Sequence, residues 1–112
     1  MLKRTNRLSK ETDIKRVLKK GKRTRGSFVS FIVLKNDLDY SRFTVVVGMK
    51  VSKKAVDRNR LKRQVRSVIE KEFDQIKPGV DVMVLVNPSA LNQSFEKLNT
   101  DVIQGLKKAK LL

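Results

Sequence analysis

Lys50-Val51-Ser52-Lys53-Lys54-Ala55-Val56-Asp57-Arg58-Asn59-Arg60-Leu61-Lys62-Arg63-Gln64-Val65-Arg66 carries eight basic residues in seventeen, and its second half has the spacing of a helix with two unlike faces. From Ala55 to Phe73 the apolar residues Leu61, Val65, Val68, Ile69 and Phe73 recur at three- and four-residue intervals, which places them on one stripe of an α-helix. At about 100° per residue, Asn59, Arg63 and Arg66 fall opposite that stripe, with Lys62 on one flank and Arg60 on the other. Asp57 stands where it can cap the start of the helix and favour its dipole. One side grips a core and the other holds cations out to solvent.

No acidic residue lies between Arg58 and Arg66, whereas a helix face that is merely solvated mixes signs, often as Glu and Lys four apart. Guanidiniums fixed on a rigid helix suit phosphate, because each offers paired donors at a set spacing. Asn59 adds a neutral donor and acceptor, and the free amides of the helix start are a further place for an anion. The whole chain agrees: 27 Lys and Arg against 11 Asp and Glu leave +16 on 112 residues, a self-repelling charge whose natural partner is nucleic acid. Stability of the free chain is therefore expected to rise with sulfate or phosphate. A second basic run, Lys19-Lys20-Gly21-Lys22-Arg23-Thr24-Arg25, reads either as an RNA-backbone contact or as a solvated loop.

Upstream of the helix, Ser27 to Leu34 and Phe43 to Met49 are rich in Val, Phe and Ile over strand-like lengths. With Lys35 to Ser41 as a connecting loop, they predict a hairpin. A first helix is expected from Ser9 to Lys20, capped by Ser9 and stopped by Gly21, with Ile14, Val17 and Leu18 on one face. Downstream, Lys77-Pro78-Gly79 breaks the chain before Val80 to Val86, an apolar run of the kind buried on both faces of a sheet, which Asn87-Pro88 ends. Phe95, Leu98, Val102, Leu106 and Ala109 then form the apolar stripe of a third helix, closing on Lys107, Lys108 and Lys110. The predicted order is α-β-β-α-β-α, with room for one more short strand. No repeat or linker divides the chain, so residues 1–112 read as a single domain.

The chain has no Cys and no His, which removes the usual ligands of structural zinc and the commonest general base. Its acidic residues show no clustering suited to a two-metal nuclease. Catalysis by the chain alone is not expected. The opening MLKRTNRLSKETD has no apolar core after its basic residues, so it is not a secretory signal. No apolar run approaches the ~18 residues of a membrane span, and the expectation is a cytoplasmic protein with no membrane partner. Two rival binding readings remain: a ribosomal or ribosome-assembly protein, and a helix-in-groove DNA reader. The second lacks a partner helix immediately before the arginine helix, where only a strand is expected.

Arg58-Asn59-Arg60-Leu61-Lys62-Arg63, with Arg66 three residues on, resembles the RNR motif of the bacterial ribonuclease P protein family, and Lys50 to Val56 resembles that family's lysine-rich lead-in. Asn6-Arg7-Leu8, Asp13-Ile14, Val17-Leu18 and Gly21 also follow the family pattern, so the likeness covers most of the chain. It implies an α/β (α+β) two-layer sandwich: a mixed sheet of about four strands with three helices, the RNR helix lying on an unusual left-handed βαβ crossover. It further implies a protein subunit that binds a catalytic RNA and the 5′ leader of precursor tRNA. Magnesium ions would be held mainly by the RNA, with none bound by this chain alone, and there would be no obligate protein partner. By the same likeness Lys50, Lys53, Lys54, Arg58, Asn59, Arg60, Lys62, Arg63 and Arg66 would face the RNA subunit. Ile14, Leu18, Val29 and Phe31, with Lys62 at the edge, would line a cleft for the leader. Many relatives carry Phe where this chain has Ile14 and Leu18, and aliphatic side chains give no π surface on which bases stack. Ordinary core packing is the competing reading of these apolar positions. Met49 and Ser52 also depart from the family pattern, and neither is expected to disturb the arginine face.

Overall fold

The computed structural model describes residues 3–112. Its elements are α1 (Glu11–Lys20), β1 (Lys22–Thr24), β2 (Val29–Lys35), β3 (Arg42–Val46), α2 (Ala55–Glu72), β4 (Val80–Val86) and α3 (Phe95–Lys108). Single 3-10 turns occur at Arg4–Asn6, Phe73–Gln75 and Pro88–Ala90. The extra strand allowed by the sequence is β1, which lies inside the second basic run.

The sheet order is β1-β2-β4-β3. β4 pairs antiparallel with β2, from Val29 opposite Val86 to Lys35 opposite Val80, and parallel with β3, from Arg42 opposite Asp81 to Val46 opposite Leu85. The expected hairpin between the segments that became β2 and β3 is therefore corrected: they never pair. The apolar run of β4, buried on both faces, takes the central position and separates them. β3 and β4 can then be parallel only because α2 carries the chain back along the sheet.

Alternation along the strands sorts the core in two. Val29 and Phe31 of β2 share one face with Val82, Val84 and Val86 of β4, packed against Leu61, Val65, Val68 and Ile69 of α2 and Leu98, Val102 and Leu106 of α3. Ile32 and Met83 point the other way, against Leu8 and Val17, with Ile14, Leu34 and Leu85 around them. The expected mixed sheet and three helices are present. The helices divide, however, with α2 and α3 over one face and α1 alone over the other, which is one layer more than the two expected.

Local signals decide the element ends. Ser94 accepts a hydrogen bond from the Lys97 amide at 3.2 Å and caps α3. Ser9 does not cap α1, whose N-cap is Lys10 with no side-chain bond. Gly21 does end α1, but with an ordinary φ of −71°. Glycine is needed there because a Cβ would run into Ile32 Cγ2 and the Val17 carbonyl. At the end of α3, Lys110 takes a φ of 62°, and the chain turns back so that Leu111 is buried and its carbonyl accepts from the Lys77 amide at 2.9 Å. Phe95, expected on the inner stripe of α3, is 45% exposed, since it opens the helix beyond the edge of the core.

Candidate nucleic-acid interface

Leu61, Val65, Val68 and Ile69 of α2 are buried, and Phe73, in the 3-10 turn that follows, meets Phe43 edge to face at 6.1 Å between ring centroids. This fixes the rotation of α2 and so decides where its cations stand. Asn59, Arg60 and Arg63 are exposed, while Arg58, Lys62 and Arg66 are half-buried. Asn59, Lys62, Arg63 and Arg66 have neither an ion pair nor a side-chain hydrogen bond among the described residues. Their donors are uncommitted.

The start of α2 is built differently from the sequence expectation. Asp57 does not cap it, and the N-cap Lys54 makes no side-chain bond. Instead the Ser52 hydroxyl donates to Asp57 Oδ2 at 2.9 Å and accepts from the Lys54 amide at 3.1 Å. Arg58 Nη1 donates to the Ser52 carbonyl at 2.9 Å, and Arg60 stands 3.7 Å from Asp57 Oδ1. Asp57 and Ser52 thus tie the lead-in to the helix. Val51 anchors that lead-in by burial, and Lys50, Lys53 and Lys54 are left exposed around it beside the exposed apolar side chains of Met49 and Val56. All nine residues expected to face RNA lie on this one lead-in and helix.

Lys62 and Arg66 also line a groove of about 410 Å³ whose other wall is Arg7, Leu8 and Ser9 and whose floor is β3 at Phe43 to Val45. The Leu8 amide donates to the Phe43 carbonyl at 2.8 Å, so the N-terminal segment covers the open edge of β3 and carries Arg7 to the same groove. Sequence reasoning did not place Arg7 here. Its neighbours Asn6 and Leu8, both buried, are the signal that this segment is tied down.

The five residues expected to form a leader cleft are not brought together. Val29 and Phe31 are fully buried on the α2/α3 face; the Val29 amide donates to Asp101 of α3 at 3.0 Å, and the Phe31 ring lies against Gly105. They are core residues, and the cleft assignment is corrected: strand parity turns Ile32, not its neighbour, towards α1. Ile14 is half-buried on the α1 face, Leu18 is 50% exposed there, and Lys62 belongs to the groove at the β3 edge. Core packing therefore explains Val29 and Phe31 and does not explain Leu18.

α1 itself is held by charge. Arg42 at the start of β3 donates to Asp81 through Nε at 2.8 Å and Nη2 at 2.7 Å, and through Nη1 to Asp13 of α1 at 3.2 Å. The hydrogen bonding of Arg42 to Asp81 is the main cause that raises the Arg42 pKa above its ordinary value, against the opposing effect of burial. Arg16 adds a contact to Asp13 at 3.2 Å.

A basic helix with uncommitted guanidiniums on a small mixed sheet defines a phosphate-binding protein of the RNA-associated kind. The particular family follows from comparison: the Ribonuclease P family profile matches residues 2–110, and this chain belongs to that family. It is 39% identical over 113 residues to the ribonuclease P protein component of a Pseudanabaena species, covering 100% of this chain and 97% of that protein. It is 41% identical over 112 residues to the protein of the same name from a Synechocystis species, covering 99% and 90%. Among solved structures, the RNase P protein of Staphylococcus aureus superposes with a TM-score of 0.88 at 25% identity, covering 95% of this chain and 96% of that one. That of Thermotoga maritima gives 0.83 at 29%, covering 91% and 96%.

Proposed function

We propose that this chain is the protein component of a ribonuclease P, binding the catalytic RNA with the basic face of α2 and helping it to remove the 5′ leader from precursor tRNA in the cytoplasm. The observation that carries this reading is the set of uncommitted donors on Asn59, Lys62, Arg63 and Arg66, held in fixed register by the buried stripe beneath them. A guanidinium without a protein partner keeps its full capacity for phosphate, and each phosphate neutralised releases counterions to solvent.

Among the described residues no three His, Cys, Asp or Glu side chains converge. The reading assigns magnesium mainly to the RNA and gives the protein positioning and charge neutralisation. Lowering repulsion between RNA segments matters most when magnesium and salt are scarce. The leader is assigned to exposed surface beside α1 at Leu18 and to the groove shared by Arg7, Lys62 and Arg66. Among the described residues no helix is long and apolar enough to cross a membrane.

The test is leader cleavage from a precursor tRNA by a cognate ribonuclease P RNA at limiting magnesium, with and without the protein. Strong stimulation by the native chain, lost in Arg63→Ala/Arg66→Ala, is the expected result. Absence of stimulation by the native chain would overturn the reading.

A further inference from the structure

A cavity of about 490 Å³ opens where the end of α3 meets β1, β2 and the start of β4, and five lysines, Lys22, Lys35, Lys77, Lys108 and Lys110, stand around it. None of the residues lining it is acidic. Lys22, Lys35, Lys77 and Lys110 form no ion pair among the described residues, and Lys108 reaches only the Arg25 carbonyl, at a long 3.4 Å. The floor is apolar, with Val33, Leu38 and Pro78 contributing to it. The site lies at the Val80 end of β4, whereas α2 begins beyond Val46, which pairs with Leu85 at the other end of the same ladder. At ~3.3 Å per residue the start of α2 is about 17 Å along the sheet from this site, and the groove of Lys62 and Arg66 lies over β3, at the opposite edge of the sheet from β1.

Lys110 shows that this rim is not incidental to chain closure. It takes the left-handed conformation after α3, where glycine or asparagine is the usual residue because a Cβ is strained there. A lysine accepts that strain and stands in the lining of the cavity. The volume is that of a small-ligand pocket. A double helix presents phosphates on a convex surface and hides its bases, so it cannot use a concave apolar floor. An unpaired nucleotide can set its base on the floor and its phosphates among the ammoniums, and flexible lysines suit a backbone that tracks past without fixed geometry.

We propose that this cavity is a second RNA site, taking an unpaired nucleotide of a single-stranded segment, so that the protein holds two RNA elements at opposite edges of its sheet. It stands apart from the role assigned to α2 and is tested without cleavage.

The experiment is a nuclear magnetic resonance titration of the full chain carrying Arg63→Ala/Arg66→Ala, using a single-stranded RNA pentamer, the same pentamer without bases, and a pentaglutamate peptide. Saturable shifts of the Val33, Gly79 and Leu111 amides are expected with the RNA. Lys35→Gln/Lys110→Gly added to that protein should weaken binding at least tenfold. It should also reduce the slope of log affinity against log salt by about 1.4, two contacts at ~0.7 each for a single strand. Because glycine adopts the φ of position 110 readily, the variant should fold with an unchanged or raised melting temperature. Shifts confined to α2, unchanged affinity in the lysine variant, or equal binding of the base-free pentamer or the peptide would each overturn the proposal.

Discussion

Arg42 lies in two-point contact with Asp81, at 2.8 Å and 2.7 Å, and Asp81 is completely buried. The carboxylate takes a third bond from Asn36 Nδ2 at 2.9 Å, and the remaining Arg42 nitrogen reaches Asp13 on α1. One guanidinium thus joins β3, β4 and α1.

Arg42→Ala should destabilise the chain by about 3–5 kcal/mol, because it leaves a buried charge without its partner. Urea denaturation measures this. Asp13→Ala, which removes the Arg42 link to α1 and leaves the Asp81 pair intact, should cost far less. The raised pKa of Arg42 means that its contribution is complete below the pH at which an ordinary guanidinium titrates and is lost only as pH rises through the raised folded value, so this group gives no pH dependence near neutrality.

Gly105 of α3 faces the Phe31 ring so closely that an added Cβ would overlap it. Gly105→Ala should therefore destabilise by about 1–3 kcal/mol through overpacking, despite the better helix propensity of alanine. Combining it with Phe31→Leu should recover part of the loss. Strict additivity of the two changes in thermal or urea unfolding would contradict the placement of Phe31 on the α3 side.

Leu18 is half exposed while Val17 is fully buried. Leu18→Ala should change stability by no more than about 0.5 kcal/mol, yet weaken binding of leader-bearing precursor relative to mature tRNA. Leu18→Phe should strengthen it, since a base stacked on an aromatic ring is worth about 1–3 kcal/mol. Equilibrium binding with the two tRNA forms gives the comparison.

Each of Arg63 and Arg66 changed to alanine should lower the slope of log affinity for the RNA subunit against log salt by up to about 0.9, the loss of one phosphate contact to duplex-like RNA. An alanine variant that loses affinity with no change in slope would show that the side chain acts by packing.

Anions should stabilise the free protein. With +16 to contain and uncommitted cations on α2, sulfate that binds only the folded state raises stability by mass action. About 1 kcal/mol corresponds to roughly 4–8 °C in a domain of this size. Thermal unfolding across a sulfate titration, with sodium chloride at matched ionic strength as the control, separates site binding from screening.

The sequence by itself determined what depends on local periodicity and composition. The stripe from Leu61 to Ile69 specified α2 and, by exclusion, the face on which Asn59, Arg63 and Arg66 stand, because a helix repeat relates neighbours three and four apart whatever surrounds them. The apolar run from Val80 to Val86 likewise announced a central strand, and the missing His and Cys removed whole classes of chemistry. Tertiary structure decided what depends on pairing and parity. Nothing local says that β2 and β3 are held apart by β4, since both are good strands and the loop between them is short enough for a hairpin. Competition for the most apolar neighbour settled it. The face of β2 that meets α1 was equally hidden: Phe31 and Ile32 are both apolar, and a one-residue change of parity exchanges core for cleft. Asp81 and Arg42, 39 positions apart, and the lysines that meet around the end of α3 come together only when the chain closes, because a contact between distant charges leaves no period in the sequence.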